Sequence, residues 1–161
     1  MGDSAKAAYV AGLTLLARRE LSEAQVRQRL IRRGHEADDV ETAIARLKAE
    51  RAIDDVRVAE AIARTEVTVR RRGRLRVDRR IQNAGISKVT AKRAVEHIYA
   101  DVDADALLDA ALAKRLRGNE TIEDQKTFQR LYRYLVGQGF ESDKALRALR
   151  SRAKKTAHHD D

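Results

Sequence analysis

The chain has 161 residues, with 34 Lys or Arg against 25 Asp or Glu, and a net charge of +9 at neutral pH. It lacks cysteine, which excludes disulfides, thiolate metal sites and thiol nucleophiles. With no proline, 4% aromatic and 37% charged residues, it predicts an all-α protein rich in good helix formers.

The first apolar stretch, Ala7 to Ala17, is too short to span a bilayer, and Arg18, Arg19 and Glu20 follow at once. Only Lys6 precedes it as a basic residue, so it reads as a core helix rather than a leader. The expected helix runs roughly from Ala5 to Arg19, with Leu13, Leu16 and Ala17 on its buried face. Ser22 with Gln25 three residues on is a capping-box pattern opening a second helix to Arg33, its stripe being Val26 and Leu30. Gly34 suits a left-handed C-cap. A third helix to about Glu50 carries Val40, Ala43, Ile44 and Leu47 at helical spacing.

Asp54 is the expected N-cap of a long helix through Val58, Ile62 and Val67 to Arg72, interrupted by Gly73. A short helix bears Val77 and Ile81 and stops at Gly85, and Ser87 opens a helix with Ala91, Val95 and Ile98. Beyond Asp103–Asp105 come Leu108, Leu112 and Leu116, then a longer connection over Gly118–Thr121. Phe128, Leu131 and Leu135 lead to Gly137–Gly139, and Ser142 is the expected cap of a last helix with Ala145 and Leu149.

These elements are three copies of one phrase. Leu30…Gly34, Ile81…Gly85 and Leu135…Gly139 recur 51 and 54 residues apart. Six residues past each glycine sits Val40, Ala91 or Ala145; ten past sits Ile44, Val95 or Leu149; eight before lies Val26, Val77 or Leu131. Such a period marks a helical repeat rather than a single active-site domain. The expected three-helix repeats are residues 5–53, 54–102 (basic) and 103–153, with a polar tail over 154–161, in an elongated array that is straight or curved.

The charge is local. From Arg64 to Arg93 there are 11 basic and 2 acidic residues, which leaves 23 of each sign elsewhere. The densest run is Arg70, Arg71, Arg72, Arg74, Arg76, Arg79 and Arg80, followed by Lys88, Lys92 and Arg93. Guanidinium forks pair bidentately with phosphate or carboxylate, so these ten are the candidate partner- or DNA-binding residues, read from charge alone. The alternative is a solvated helix face. Arg76, Arg79 and Arg80 are expected to project away from Val77 and Ile81.

Catalytic and metal sites are not expected. Asp101, Asp103 and Asp105 imitate a calcium loop, but Ala106 and Leu112 stand where it needs glycine and glutamate. Acidic residues at a helix start, complementing its dipole, are the simpler reading. Among His35, His97, His158 and His159, no two of the first three have metal-ligand spacing. Phosphate-cradling and nucleophile-elbow motifs are absent, so no enzyme and no cofactor are expected. Ser22 to Lys48 could be a helix-turn-helix, but Glu36, Asp38, Asp39 and Glu41 stand where base contacts would be made.

The run Leu15–Leu16–Ala17–Arg18–Arg19–Glu20–Leu21–Ser22 with Val26, Leu30 and Gly34 resembles the opening unit of the RecX family, bacterial regulators of the RecA recombinase. Ala52–Ile53–Asp54–Asp55 with Ala59, Gly73, Ile81, Gly85 and Ile86 resembles its second unit, and Leu135 with Gly139–Phe140 its third. His35 stands where that family usually has an aromatic or aliphatic residue, and Val58 where phenylalanine is common. The resemblance implies a tandem array lying in the groove of the RecA–single-stranded-DNA filament. It further implies restraint of filament extension, ATP hydrolysis, strand exchange and coprotease activity (repressor autocleavage). The resulting expectation is a cytoplasmic, monomeric regulator, mainly an inhibitor, with the RecA filament as partner, no membrane partner, and direct contact with single-stranded DNA left open. The alternative is a free-standing basic nucleic-acid-binding protein.

Overall fold

A computed structural model describes residues 1–118 and 121–153; the polar tail, with His158 and His159, lies outside the described residues. Nine helices occur among them: α1 (Asp3–Arg18), α2 (Glu23–Arg32), α3 (Ala37–Ala49), α4 (Asp55–Thr68), α5 (Arg74–Asn83), α6 (Lys88–Tyr99), α7 (Ala104–Leu116), α8 (Gln125–Gly137) and α9 (Ser142–Arg152). The protein is all-α, and the one β feature among the described residues is an isolated bridge between Ile122 and Ala153. Among the described residues, no helix is long and apolar enough to cross a membrane.

The repeat register sets the core. Val26, Leu30, Val40, Ile44 and Leu47 are buried in the first repeat, Val77, Ile81, Ala91 and Val95 in the second, and Leu131, Leu135, Ala145 and Leu149 in the third. Helix α1 departs from expectation. Its buried stripe is Ala5, Ala8, Gly12 and Leu15, whereas Leu13 is 38% exposed. Size decides this: a Cβ on Gly12 would lie 2.7 Å from Leu47 Cδ1, so α1 approaches α3 through its smallest residues and turns the larger Leu13 outward.

Helix α4 stops four residues before the expected Arg72. Arg71 takes a left-handed φ of 52°, its N–H reaches the Val67 carbonyl at 3.2 Å, and the Arg72 N–H reaches that of Glu66 at 3.0 Å. The Arg71 bond is that of a left-handed αL C-cap, made with arginine in the place glycine prefers. Ser142 is likewise not the cap of α9; Glu141 holds that position without a side-chain bond, and Ser142 is the first helical residue. Asp54, Ser87 and Asp103 do cap their helices, and Asp124 caps α8 through the Thr127 N–H at 2.7 Å.

The chain divides into two compact units: Met1–Arg64 with Asp78–His97, and Thr65–Val77 with the chain from Ile98 onward. The division passes through the middle repeat. Each unit contains one joint between successive repeats, and both joints follow the same rule. In the first unit, Gly85 (φ 80°) lies so close to the start of α2 that a Cβ would be 2.5 Å from that of Ala24. The buried Ser22 hydroxyl accepts from the Gln25 N–H at 3.2 Å and donates to the Ala84 carbonyl. In the second unit, a Cβ on Gly139 (φ 95°) would be 2.4 Å from the Arg76 backbone nitrogen at the start of α5. There the Gly73 N–H donates to the Gln138 carbonyl at 2.9 Å, and the Leu75 N–H to that of Gly139 at 3.1 Å. Each time, a glycine turn sets its orphan carbonyls against donors at the start of the previous repeat's second helix.

Both ends of this series are closed. A Cβ on Gly34 (φ 87°) would meet nothing within 4 Å. Its turn carries Arg32, Arg33 and half-buried His35 where the interior turns have Ala84 and buried Ile86, or Gln138 and buried Phe140. His35 thus departs from the apolar pattern at the turn onto which no other repeat docks. At the other end, Thr127 stands where Ser22 and Gly73 stand, 12 residues before the glycine, but α8 begins earlier, at Gln125. Asp124 occupies the Thr127 N–H and hydroxyl. Polar terminal repeats are what an array needs in water.

Ser22 serves both a cap and a joint. Ser22→Ala should lower stability by about 2–3 kcal/mol, about 1 from the missing cap and the rest from leaving the Ala84 carbonyl unpaired. A fall in the urea midpoint with an unchanged slope measures it; a shift under about 0.5 kcal/mol would remove Ser22 from the joint.

Candidate functional site

The ten cations divide between the two units. In the first, Arg79 and Arg80 on α5 and Lys88, Lys92 and Arg93 on α6 are exposed, and no carboxylate among the described residues pairs with them. Lys88 and Lys92 are one helical turn apart on one face of α6, whose first turn holds no acid. By contrast Asp38 and Asp39 open α3, and Asp143 opens α9.

The second unit holds Arg70, Arg71, Arg72, Arg74 and Arg76. Arg70 and Arg71 are exposed; Arg70 meets the buried Glu66 carboxylate at 3.4 Å. Arg74 lies over the Tyr99 ring at 5.3 Å. Burial pushes the Tyr99 phenol up to about 12, with Arg74 opposing and Glu66 adding to the shift, and its hydroxyl donates to the Arg72 carbonyl.

Two arginines of the run are half-buried, and for Arg76 this departs from the expected outward projection. Arg76 is half-buried and donates through Nη1 to the Gly137 carbonyl at 2.9 Å, so it ties α5 to the glycine turn of the third repeat. Arg72 is half-buried too, and its Nε and Nη1 are buried without a hydrogen-bond partner among the described residues. Gly139 packs against the Arg76 backbone, which brings the Gly137 carbonyl within reach of that side chain.

Arg70 and Arg71 meet three residues that the charge pattern did not indicate. With Lys114 of α7 and Tyr134 and Gln138 of the third repeat, they line a cavity of about 510 Å³. Arg115 lies over the Tyr134 ring at 4.1 Å. These partners lie far along the chain from the arginine run, in the third repeat, so only the fold brings them in.

A second basic cluster also escaped the sequence. Burial lowers the Arg29 guanidinium pKa, and Arg19, Arg32 and Arg33 lower it further by repulsion. Averaging hid it, because nearby acids are spent elsewhere: Glu23 and Glu41 clamp Arg27 at 3.0 and 2.6 Å. Glu20 holds Arg57 at 2.9 Å. The described residues contain no group of three or more His, Asp or Glu able to hold a metal ion.

The family model for the first three-helix domain of RecX matches residues 8–47, which contain α2 and the Gly34 turn. The regulatory protein RecX of Acidithiobacillus ferrooxidans is 34% identical over 132 residues, 81% of each chain. This chain belongs to the RecX family. The RecX of Halorhodospira halophila is 30% identical over 143 residues, covering 88% of this chain and 86% of that one. The crystal structure of RecX from Lactobacillus salivarius shares the fold, with a TM-score of 0.82 over 94% of this chain and 97% of that chain at 18% identity. The family is one of regulatory proteins, and this chain spans most of the length of these relatives.

Proposed function

We propose that this chain regulates the RecA recombinase, mainly as an inhibitor, by binding along the groove of the RecA–single-stranded-DNA filament. In that setting it modulates filament extension, ATP hydrolysis, strand exchange and coprotease activity. One observation carries the reading: in a chain of a regulatory family, exposed Arg71, Arg79, Arg80, Lys88, Lys92 and Arg93 have no carboxylate partner among the described residues. Cations left unpaired by their own chain suit phosphates or carboxylates of a partner. A repeated protein can also meet successive protomers of a helical filament, so that weak contacts combine through effective concentration.

The test is recombinase ATP hydrolysis on single-stranded DNA with the folded chain added below stoichiometry. Hydrolysis should fall in proportion to filament occupancy. An unchanged rate at ratios up to one chain per protomer removes the reading.

Arg79, Arg80, Lys88, Lys92 and Arg93, all exposed within one unit, favour a second reading, a free-standing nucleic-acid binder. It requires tight binding to naked duplex and a log–log salt slope of about −4 to −5 for about 5 neutralised phosphates. Weak binding to naked DNA that becomes tight when recombinase is present favours the first.

A further inference from the structure

We infer that the cavity formed by Arg70, Arg71, Lys114, Tyr134 and Gln138 is a binding site for single-stranded nucleic acid, with phosphates at the cations and a base against Tyr134. The inference deepens the filament reading, on which its biological setting rests, by assigning a direct contact with the strand.

Three observations on this unit carry it. The lining holds three cations and no carboxylate. Arg70 keeps its single ion pair with Glu66 at 3.4 Å, and Arg71 and Lys114 have none among the described residues. An anion entering there replaces water on charges that the protein itself leaves uncompensated.

The second observation is the aromatic wall. Tyr134 is half-buried, and Arg115 lies over its ring at 4.1 Å. Successive bases stack on such rings whatever their identity, and a guanidinium on the same ring adds to the platform. The rest of the lining is apolar: Ala110 and Ala111 of α7, and Val69, which is 74% exposed. Cations beside a small apolar wall suit a nucleotide, whose phosphate and base need both. A run of carboxylates would use only the cations.

The third is size. A cavity of about 510 Å³ is of the order that holds a small molecule or one nucleotide unit. A duplex keeps its bases stacked inside and cannot present one to Tyr134, so the site selects a single strand.

The test uses the whole chain and fluorescein-labelled oligothymidylate of about 15 nucleotides, a length within the usual site sizes for single strands, followed by anisotropy across a salt series. The double substitution Arg71→Ala with Lys114→Ala should weaken binding about tenfold and flatten the log–log salt slope by about 1.4, at about 0.7 per charge. Tyr134→Leu keeps much of the bulk of the ring and should weaken binding about tenfold with the slope unchanged. Should that variant lose helical content, photocrosslinking of 4-thiothymidine oligonucleotide to the unaltered chain replaces it, and the crosslink should map to the α8 peptide containing Tyr134.

Unchanged affinity in the double variant, a crosslink mapped outside this cavity, or a polyglutamate peptide that binds more tightly than the oligonucleotide and is released by the same substitutions would overturn the assignment. The last result would make the site one for an acidic protein segment. Oligonucleotide binding without any recombinase inhibition sinks the filament reading and leaves this site standing. Inhibition that persists while the variants no longer hold the oligonucleotide keeps the site and excludes it from the inhibitory contact.

Discussion

Gly139→Ala is expected to lower stability by about 3 kcal/mol, whereas the formally equivalent Gly34→Ala should cost only about 1 kcal/mol. Both glycines are left-handed, at φ 95° and 87°, so each substitution carries the backbone cost of an L residue there. Only Gly139 is also a point of close approach, with a new Cβ 2.4 Å from the Arg76 backbone nitrogen and 2.7 Å from the Gly73 carbonyl oxygen. Backbone atoms cannot step aside as a side chain can, so overpacking adds about 1–3 kcal/mol. Gly73→Ala shares the overpacking part without the left-handed backbone cost, since its Cβ would fall 2.3 Å from the Gly139 carbonyl carbon, and should lower stability by about 2 kcal/mol. Urea midpoints order the three variants, and amide exchange should accelerate in Thr65–Val77 and α8. Equal destabilisation at Gly34 and Gly139 would refute the docking rule, because only one of the two turns carries a neighbouring repeat.

The second large effect concerns exposed charge. Replacing Arg71, Arg79 and Arg80 together by alanine should weaken recombinase inhibition about 100-fold, at about 1 kcal/mol for each charge-assisted hydrogen bond that the alanines cannot make. Helical content and the urea midpoint should hold, because the three side chains are exposed and no carboxylate among the described residues pairs with them. Arg76→Ala is the contrasting case. Its guanidinium belongs to the joint with Gly137, so the expected effect is a fall of about 1 kcal/mol in stability. Inhibition by the triple variant equal to that of the unaltered chain would show the exposed arginines to be solvated surface.

The contrast between Arg71 and Arg76 shows where sequence reading stops. The repeat was legible because the same stripe recurs at fixed offsets from three glycines, and those positions are the buried ones. Ser22, Asp54 and Ser87 were legible as caps because a cap acts within three residues of itself. The face of α1 was not, because close approach selects small residues, and Leu13 outweighs Ala8 or Gly12 on any hydrophobic scale. The end of α4 was missed because arginine gives no local signal for a left-handed turn.

The candidate surface divides in the same way. Clustering of arginine is visible in one dimension, but the fate of each guanidinium is not. Arg76 is spent on a carbonyl 61 residues away, and Arg70 and Arg71 gain Lys114 and Tyr134 from another repeat. Asp55 shows the same limit: its carboxylate accepts from the Glu23 N–H at 2.9 Å, at the start of α2 rather than of its own helix.

If the chain regulates the recombinase as proposed, its repeated helices present their unpaired cations to the filament. Electron cryomicroscopy of RecA–single-stranded-DNA filaments saturated with this chain would image that arrangement. Density for the chain is expected along the filament groove, with Arg71, Arg79 and Arg80 facing filament carboxylates or phosphates. Bare filaments, with the chain bound only to free DNA, would contradict it.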